Sequence, residues 1–304
     1  MNVRIGLVGA GAIAHAHAQS CRDLGLPFGV YSRGHAAEFA QRWSIEEYDT
    51  YEALLDATSI VLVASPTPTH EDLVLAAFAH GRDVICEKPL TLETAASLRL
   101  ADAALRAGRR FLPAHVVRYF PAYAAIHDQV AAGAVGRVTH LHLSRRGASP
   151  WQSWFHDESS GGLVTDLLIH DYDQAMWLAG EVSEVRASRW YDDDGEHARI
   201  ELTHGGGVLS EIEGTWGPQG TSFSSSIRVG GEAGTLDHDS TSPTDTYESP
   251  YTSQLRDLVS ALTDGTTPRL TIDDGIRAVQ VAEAVRTSLS TGEAVALTTR
   301  SEWR

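Results

Sequence analysis

Through the first third of the chain, short apolar and β-branched runs alternate with alanine-rich stretches of helical spacing, the pattern of successive parallel βαβ units. The runs predict strands at Val3–Val8, Pro27–Tyr31, Ile60–Ala64, Asp83–Cys86 and Arg110–Ala114. Helices are predicted at Ala12–Leu24, Glu71–His80 and Leu92–Ala107 among the stretches between them. After about residue 118 the texture changes. A helix over Ala122–Ala132 leads into strands with a period of two, in which Leu141 and Leu143 face one way and His140 and His142 the other. Helical spacing returns at Gln254–Leu262 and Gly275–Leu289, before a short strand at Ala294–Leu297. Asp192–Gly195 and the Ser/Thr/Asp/Pro-rich run from Asp237 to Pro250 read as loops. The pattern predicts an α/β protein in two consecutive parts: residues 1–118 with a parallel, doubly wound sheet, and residues 119–304 with a mostly antiparallel sheet and helices against it.

Composition narrows this picture. A length of 304 residues with 42% hydrophobic and 21% charged positions suits two globular domains with real cores. Against 24 basic residues stand 40 acidic ones, a formal net charge of −16, which disfavours nucleic acid and anionic membrane surfaces as partners. The basic residues divide unevenly, because all but Lys88 are arginine. Cys21 and Cys86 form neither a CxxC pair nor a disulfide framework and read as buried, reduced thiols. Apolar runs such as Ile60–Ala64 fall well short of the ~18 residues that a membrane helix needs. The chain enters its first strand without a basic region and signal core, so a soluble cytoplasmic protein is expected.

The first strand runs straight into Gly9-Ala10-Gly11-Ala12-Ile13-Ala14, which fits the GxGxxG/A fingerprint of a dinucleotide-binding turn. Gly9 allows the tight turn, Gly11 lets the backbone approach a pyrophosphate, and Ala14 lets helix and strand pack closely. Amides at the helix start, around Ala12 and Ile13, would then face the phosphates. The second predicted strand ends in Tyr31-Ser32-Arg33 and lacks the acid that binds an adenosine ribose. A small polar residue beside an arginine suits a 2′-phosphate, so Ser32 and Arg33 favour NADP(H) over NAD(H). The competing reading makes Arg33 a solvated surface residue and leaves NAD to other ribose contacts.

Ala64-Ser65-Pro66-Thr67-Pro68-Thr69-His70 follows the third strand, and Gly81 to Cys86 then leads into Glu87-Lys88-Pro89. With the glycine turn, these segments resemble the Gfo/Idh/MocA oxidoreductase family. The likeness continues through Arg118–Tyr123, Gly133–Gly136, Ser160-Gly161-Gly162, Asp166–Asp173, Asp274-Gly275 and Thr291-Gly292. It implies a Rossmann domain followed by an α/β domain with an open, mostly antiparallel sheet, and catalytic groups drawn from both. The Asp166-to-His170 stretch matches the family's DxxxH motif, whose Asp and His serve catalysis. Ser65, Pro66, His70 and Glu87 fall in the cofactor-adjacent stretches, although Thr67 stands where many members carry Asn. Members acting on inositol often carry an arginine soon after DxxxH, where this chain reads Ala175-Met176-Trp177.

On their own chemistry, Asp166, His170 and Asp173 would share one face of an uninterrupted helix. Histidine, with an ordinary pKa near ~6.5, suits moving a hydroxyl proton at neutral pH. A carboxylate one turn away would fix its tautomer, while an Asp/His/Asp metal site would lack an obvious further ligand; no metal is expected. Lys88 stands at a parallel-strand end, where open α/β sheets present their ligands. Its ammonium would stabilise an alkoxide or relay a proton. For substrate contacts the candidates are His115, Arg118, Trp151, Trp154, His156 and Tyr172, together with Asp166 and His170.

These features predict an NAD(P)-dependent oxidoreductase acting on a sugar, a cyclic polyol or a related hydroxy/keto compound. The alternatives are a dinucleotide-sensing regulatory protein on the same fold, or a reductase of an imine or non-sugar ring. The partner expected is a small-molecule substrate, with the chain as a homo-oligomer, dimer or tetramer, built on the alternating strands of its second half. An exposed polar sheet face would account for the same alternation.

Overall fold

The computed structural model describes residues 3–151, 155, 160–240 and 248–298. Its elements, in chain order, begin with β1 (Ile5–Val8), α1 (Ala12–Asp23), β2 (Phe28–Tyr31), α2 (Ala36–Trp43), β3 (Glu46–Glu47) and α3 (Tyr51–Ala57). Next come β4 (Ile60–Val63), α4 (His70–Ala79), β5 (Asp83–Glu87), α5 (Thr94–Ala107), β6 (Phe111–Ala114) and α6 (Pro121–Ala131). After these follow β7 (Val138–Ala148), α7 (Ile169–Ala179), β8 (Val182–Asp192), β9 (Gly195–His204) and β10 (Leu209–Gly217). The chain closes with β11 (Ser224–Gly231), β12 (Gly234–Asp239), α8 (Pro250–Asp264), α9 (Ile272–Thr291) and β13 (Val295–Ala296).

Two compact units emerge, Met1–Tyr119 with Thr246–Ile276, and Phe120–Asp245 with Arg277–Arg304. In the first unit all strands are parallel, in the order β3-β2-β1-β4-β5-β6. Every residue of β1 and β4 is buried, as expected of parallel strands covered on both faces. α1 turns Ala14, Ala18 and Cys21 onto Ile5, Leu7, Val30 and Leu62. α8 contributes Leu255, Leu258, Val259 and Ala261 to the same core. That helix corrects the expected division into consecutive blocks 1–118 and 119–304: its apolar stripe completes the core of the N-terminal sheet, so the chain returns to the first unit after leaving it. β3, α2 and α3 lie beyond the predicted elements, although Ala36, Phe39, Ala40 and Trp43 form a buried stripe at helical spacing in α2.

The second unit holds a seven-stranded sheet in the order β12-β11-β7-β10-β9-β8-β13. Only β7 and β10 pair in parallel, and the remaining neighbours are antiparallel. Leu141, Leu143, Val185, Ile200, Leu202, Ile212, Ile227 and Val229 are all buried, while alternate residues of the same strands are polar, the expected period of two. The expected loop at Asp192–Gly195 is a two-residue hairpin turn closed by the Asp194 N–H donating to Asp192 Oδ1 at 2.8 Å. The second expected loop starts later than Asp237, because β12 runs to Asp239; residues 241–247 lie outside the described residues. Among the described residues no helix is long and apolar enough to cross a membrane.

Candidate active site

The first unit builds its glycine turn at the end of β1. Gly9 has φ +113°, and a Cβ there would lie 2.5 Å from the Ala64 carbonyl oxygen, so any side chain would collide with the neighbouring strand end as well as strain the backbone. Its N–H donates to the Tyr31 carbonyl at 2.9 Å. Gly11 caps α1 without a side-chain hydrogen bond, and a Cβ added to it would meet nothing within 4 Å. Ala12 is exposed, Ile13 is half-buried and Ala14 is fully buried. The helix start thus offers unobstructed first-turn amides and the positive end of its dipole, the features a pyrophosphate needs. The residues present fit a dinucleotide.

At the end of β2 the Ser32 hydroxyl donates to the Gly34 carbonyl at 2.7 Å and closes a tight turn, while Arg33 is exposed. Beyond it a cavity of about 210 Å³ is lined by Ala10, His15, His35, Glu38, Phe39 and Arg42. His15 Nδ1 accepts from the Trp43 indole at 2.8 Å. Burial, then Arg42, hold His15 below the ordinary histidine pKa.

β4 and β5 end beside each other, Val63 pairing with Cys86. The Ser65 and Thr69 hydroxyls share a hydrogen bond at 2.7 Å, and Pro66 is exposed. His70 is 1% exposed. Its Nε2 lies 2.9 Å from the Ser65 carbonyl, and its Nδ1 lies 3.0 Å and 3.2 Å from those of Pro89 and Leu90. Burial lowers its pKa against the pull of those three carbonyls. Both ring nitrogens are engaged by backbone, so His70, at the start of α4, ties the two strand-end loops together.

Glu87, the last residue of β5, is buried. Its Oε1 lies 2.7 Å from His17 Nε2 on α1, and its Oε2 accepts the Lys88 backbone N–H at 3.1 Å. Burial would raise the Glu87 carboxyl pKa, yet the His17 contact and the Lys88 charge leave it below the ordinary value. Lys88 itself is half-buried, and the peptide joining it to Pro89 is cis. The sequence reading missed His17, although a signal was there: a polar residue inside the apolar stripe of α1.

In the second unit Gly161 (φ +79°) and Gly162 (φ +61°) admit the chain tightly to the next helix; a Cβ on Gly161 would lie 2.4 Å from that of Thr165. Leu163–Leu167 then forms a π-helical turn, closed by the Leu168 N–H donating to the Leu163 carbonyl at 3.2 Å, and α7 begins at Ile169. Asp166 and His170 therefore straddle a junction rather than sharing the uninterrupted helix that their spacing predicts. π-turns of this kind are frequent at functional sites. Both residues are half-buried, whereas Asp173 is fully buried.

Neighbouring side chains fix this junction. The Thr165 hydroxyl accepts from Arg286 Nη1 at 2.9 Å. Arg145 on β7 grips Asp171 through two hydrogen bonds, Nε to Oδ2 at 2.7 Å and Nη2 to Oδ1 at 3.0 Å, with both side chains buried. Burial drives the Asp171 carboxyl upward and Arg145 pulls it part of the way back. The sequence reading missed this pair too.

Several substrate candidates take other roles. His115 is buried, and Arg118, also buried, donates to Asp274 Oδ1 at 3.2 Å and to the Arg269 carbonyl at 3.3 Å, which makes it a tie within the first unit. Burial alone would raise the Asp274 carboxyl, but Arg118 and the Thr271 hydrogen bonds hold it below the ordinary value. Tyr172 is fully buried and donates to the Val164 carbonyl at 2.7 Å. The burial of all three favours the structural alternative to substrate contact at each of these positions. Trp151 is 80% exposed. Trp154 and His156 lie outside the described residues.

Comparison with known proteins bears on this geometry. Residues 3–115 match the oxidoreductase family with an NAD-binding Rossmann fold, and residues 123–237 match the GFO/IDH/MocA C-terminal domain. Inositol 2-dehydrogenase 4 of Saccharopolyspora erythraea is 34% identical over 191 residues, 59% of this chain and 54% of that protein. The inositol 2-dehydrogenase of Acidothermus cellulolyticus is 33% identical over 61% of this chain and 56% of its own length. The matched region thus spans little more than half of those relatives. An oxidoreductase domain protein from Kribbella flavida superposes with a TM-score of 0.86 at 25% identity, covering 98% of this chain and 100% of that one. The chain belongs to the GFO/IDH/MocA oxidoreductase family.

Proposed function

We propose that the protein is an NADP(H)-preferring dehydrogenase of a cyclic polyol or a related sugar. The observation carrying this reading is that one chain of this family carries an open glycine cradle and a lysine at the end of β5 in its first unit, and the Asp166/His170 pair at a helix start in its second. The inositol 2-dehydrogenase relatives support the cyclic polyol class. The departure at Ala175-Met176-Trp177 keeps the substrate at that class rather than at inositol itself.

When bound, the nicotinamide supplies the acceptor and donor of hydride. His170 would take the proton from the oxygen of the hydroxyl whose carbon is oxidised, and return it to that oxygen in the reverse direction. Lys88 stabilises the oxygen as it gains negative charge, and Asp166 supports His170 in its charged form. Preference for NADP(H) is supported by the missing acid at Tyr31-Ser32-Arg33 and by the exposed Arg33, with Arg42 and His35 lining the cavity nearby; Glu38 in that cavity opposes it. A homo-oligomer belongs to the same reading. Arg228, His142, Glu211, Glu201 and Arg186 lie side by side across five strands on the polar face of the second sheet, a row that offers complementary charges to a second copy.

Hydride transfer is tested by following reduced-cofactor absorbance with a panel of cyclic polyols, sugars and their keto forms, each with NADP and NAD. Turnover with a ring polyol and a lower KM for NADP is expected. No transfer with any compound overturns the enzyme assignment, and a lower KM for NAD overturns the cofactor preference. Light scattering of the eluted protein checks the assembly, and a monomer mass removes the oligomer.

A further inference from the structure

The chain's one lysine is held by its backbone. Glu87 spends both carboxylate oxygens within the first unit, Oε1 on His17 Nε2 at 2.7 Å and Oε2 on the Lys88 N–H at 3.1 Å. On the far side of the same turn, His70 Nδ1 lies at the carbonyls of Pro89 and Leu90. The peptide bearing Lys88 is thus gripped at its N–H by an α1-anchored carboxylate and just beyond it by a histidine of α4. His17 is 1% exposed, its ring lies edge-on to Tyr251 with centroids 5.8 Å apart, and its Nδ1 has no hydrogen-bond partner among the described residues.

An apolar residue at position 17 would continue the stripe of Ala14, Ala18 and Cys21 without burying a polar ring. Removing the ring's donor would leave the buried Glu87 carboxylate with an unpaired oxygen, which is costly. The carboxylate would then turn towards whatever donor or solvent it could reach and release the Lys88 N–H. We propose that His17 is a positioning residue for Lys88: through Glu87 it fixes the strand-end peptide to the helix that opens on the glycine turn, so that the cofactor cradle and the lysine are set by one helix. Its effect on turnover rests on the catalytic reading of Lys88 given above. Its effect on where Lys88 stands does not.

The single lysine makes the test direct. Growth on ¹³C-lysine labels one residue in the full chain, so one lysine spin system reports its position without any assay of activity. His17→Leu fills the space without a donor, and His17→Gln keeps a donor at similar reach. The expected result is that the Lys88 signals move in His17→Leu and return to their wild-type place in His17→Gln. In the same proteins, kcat falls about a hundredfold in His17→Leu, the cost of roughly 1 Å of misplacement at a reacting group. KM for NADP stays within about twofold, and His17→Gln recovers most of the rate.

Lys88 signals unchanged in His17→Leu overturn the proposal, as does His17→Gln behaving like His17→Leu. Should His17→Leu not fold, His17→Asn, whose amide is too short to reach Glu87, is read in the same way. Lys88→Met separates the two claims. Normal turnover in Lys88→Met overturns the catalytic reading and leaves the spectra to decide the role of His17. Loss of turnover in Lys88→Met beside a wild-type rate and spectrum in His17→Leu overturns the positioning role alone.

Discussion

Replacing Arg145 with leucine isolates one term in the stability of the second unit. Arg145 and Asp171 meet in a bidentate pair, with Asp171 at 0% exposure, so the substitution leaves a carboxylate in the interior without its counter-charge. Breaking a buried pair from one side costs about 3–5 kcal/mol. At roughly 2–4 °C per kcal/mol for a unit of this size, Tm should fall by about 6–20 °C. The pH dependence has a definite sign. Asp171 is already held above the ordinary carboxylate pKa by burial, and without Arg145 it must rise further. The folded variant then binds the proton more tightly than the unfolded chain, so its stability declines as pH rises from the unfolded value through the folded one. Urea unfolding followed by tryptophan fluorescence at pH 5 and pH 8 should give a deficit against wild type that is smaller at pH 5. Arg145→Met with Asp171→Leu removes both charges and should recover most of the loss. A single variant within about 1 kcal/mol of wild type, or a deficit that widens at pH 5, refutes the reasoning.

Gly9→Ala places a methyl group against the Ala64 carbonyl at positive φ; the backbone strain alone costs about 1–2 kcal/mol, and both the melting temperature and the fluorescence-titrated affinity for NADPH should drop. Asp274→Asn weakens the Arg118 contact and should cost roughly 1.5–3 kcal/mol at pH 7. Because the Asp274 carboxyl is held below its ordinary pKa, its contribution is present above the unfolded value and lost as pH falls through the folded one, so urea midpoints of variant and wild type should converge in acid. Burial pushes the Cys21 thiol up to about 12 and the Cys86 thiol well above its ordinary value, so a disulfide reagent at pH 8 should label neither in the native protein and both in guanidinium. Rapid native labelling contradicts their burial.

What could be read along the chain was whatever a local pattern determines. Four-residue apolar runs located the core strands β1 and β4 because strands buried on both faces need nothing but apolar side chains, and the glycines of the first turn announced a constraint that lies in their own backbone. The return of α8 to the first core left no such trace, since an amphipathic helix states that it has a buried face and not which sheet covers it. The π-turn at Leu163–Leu167 escaped for a related reason: a spacing of four between Asp166 and His170 reads as one α-helical turn, and only the Leu163 carbonyl reaching Leu168 reveals the extra residue.

The buried polar residues divide along the same line. His17 interrupts the Ala14, Ala18, Cys21 stripe, so its burial was legible, but its partner Glu87 lies on another element. Arg145 likewise falls on the Leu141/Leu143 face of β7 and interrupts its apolar alternation, but its partner Asp171 stands on α7. A buried charge demands a partner, yet the chain's order does not say where that partner comes from. Position along the sequence therefore pointed to Lys88, and the groups that hold its backbone became visible only when three separate segments were brought to one strand end.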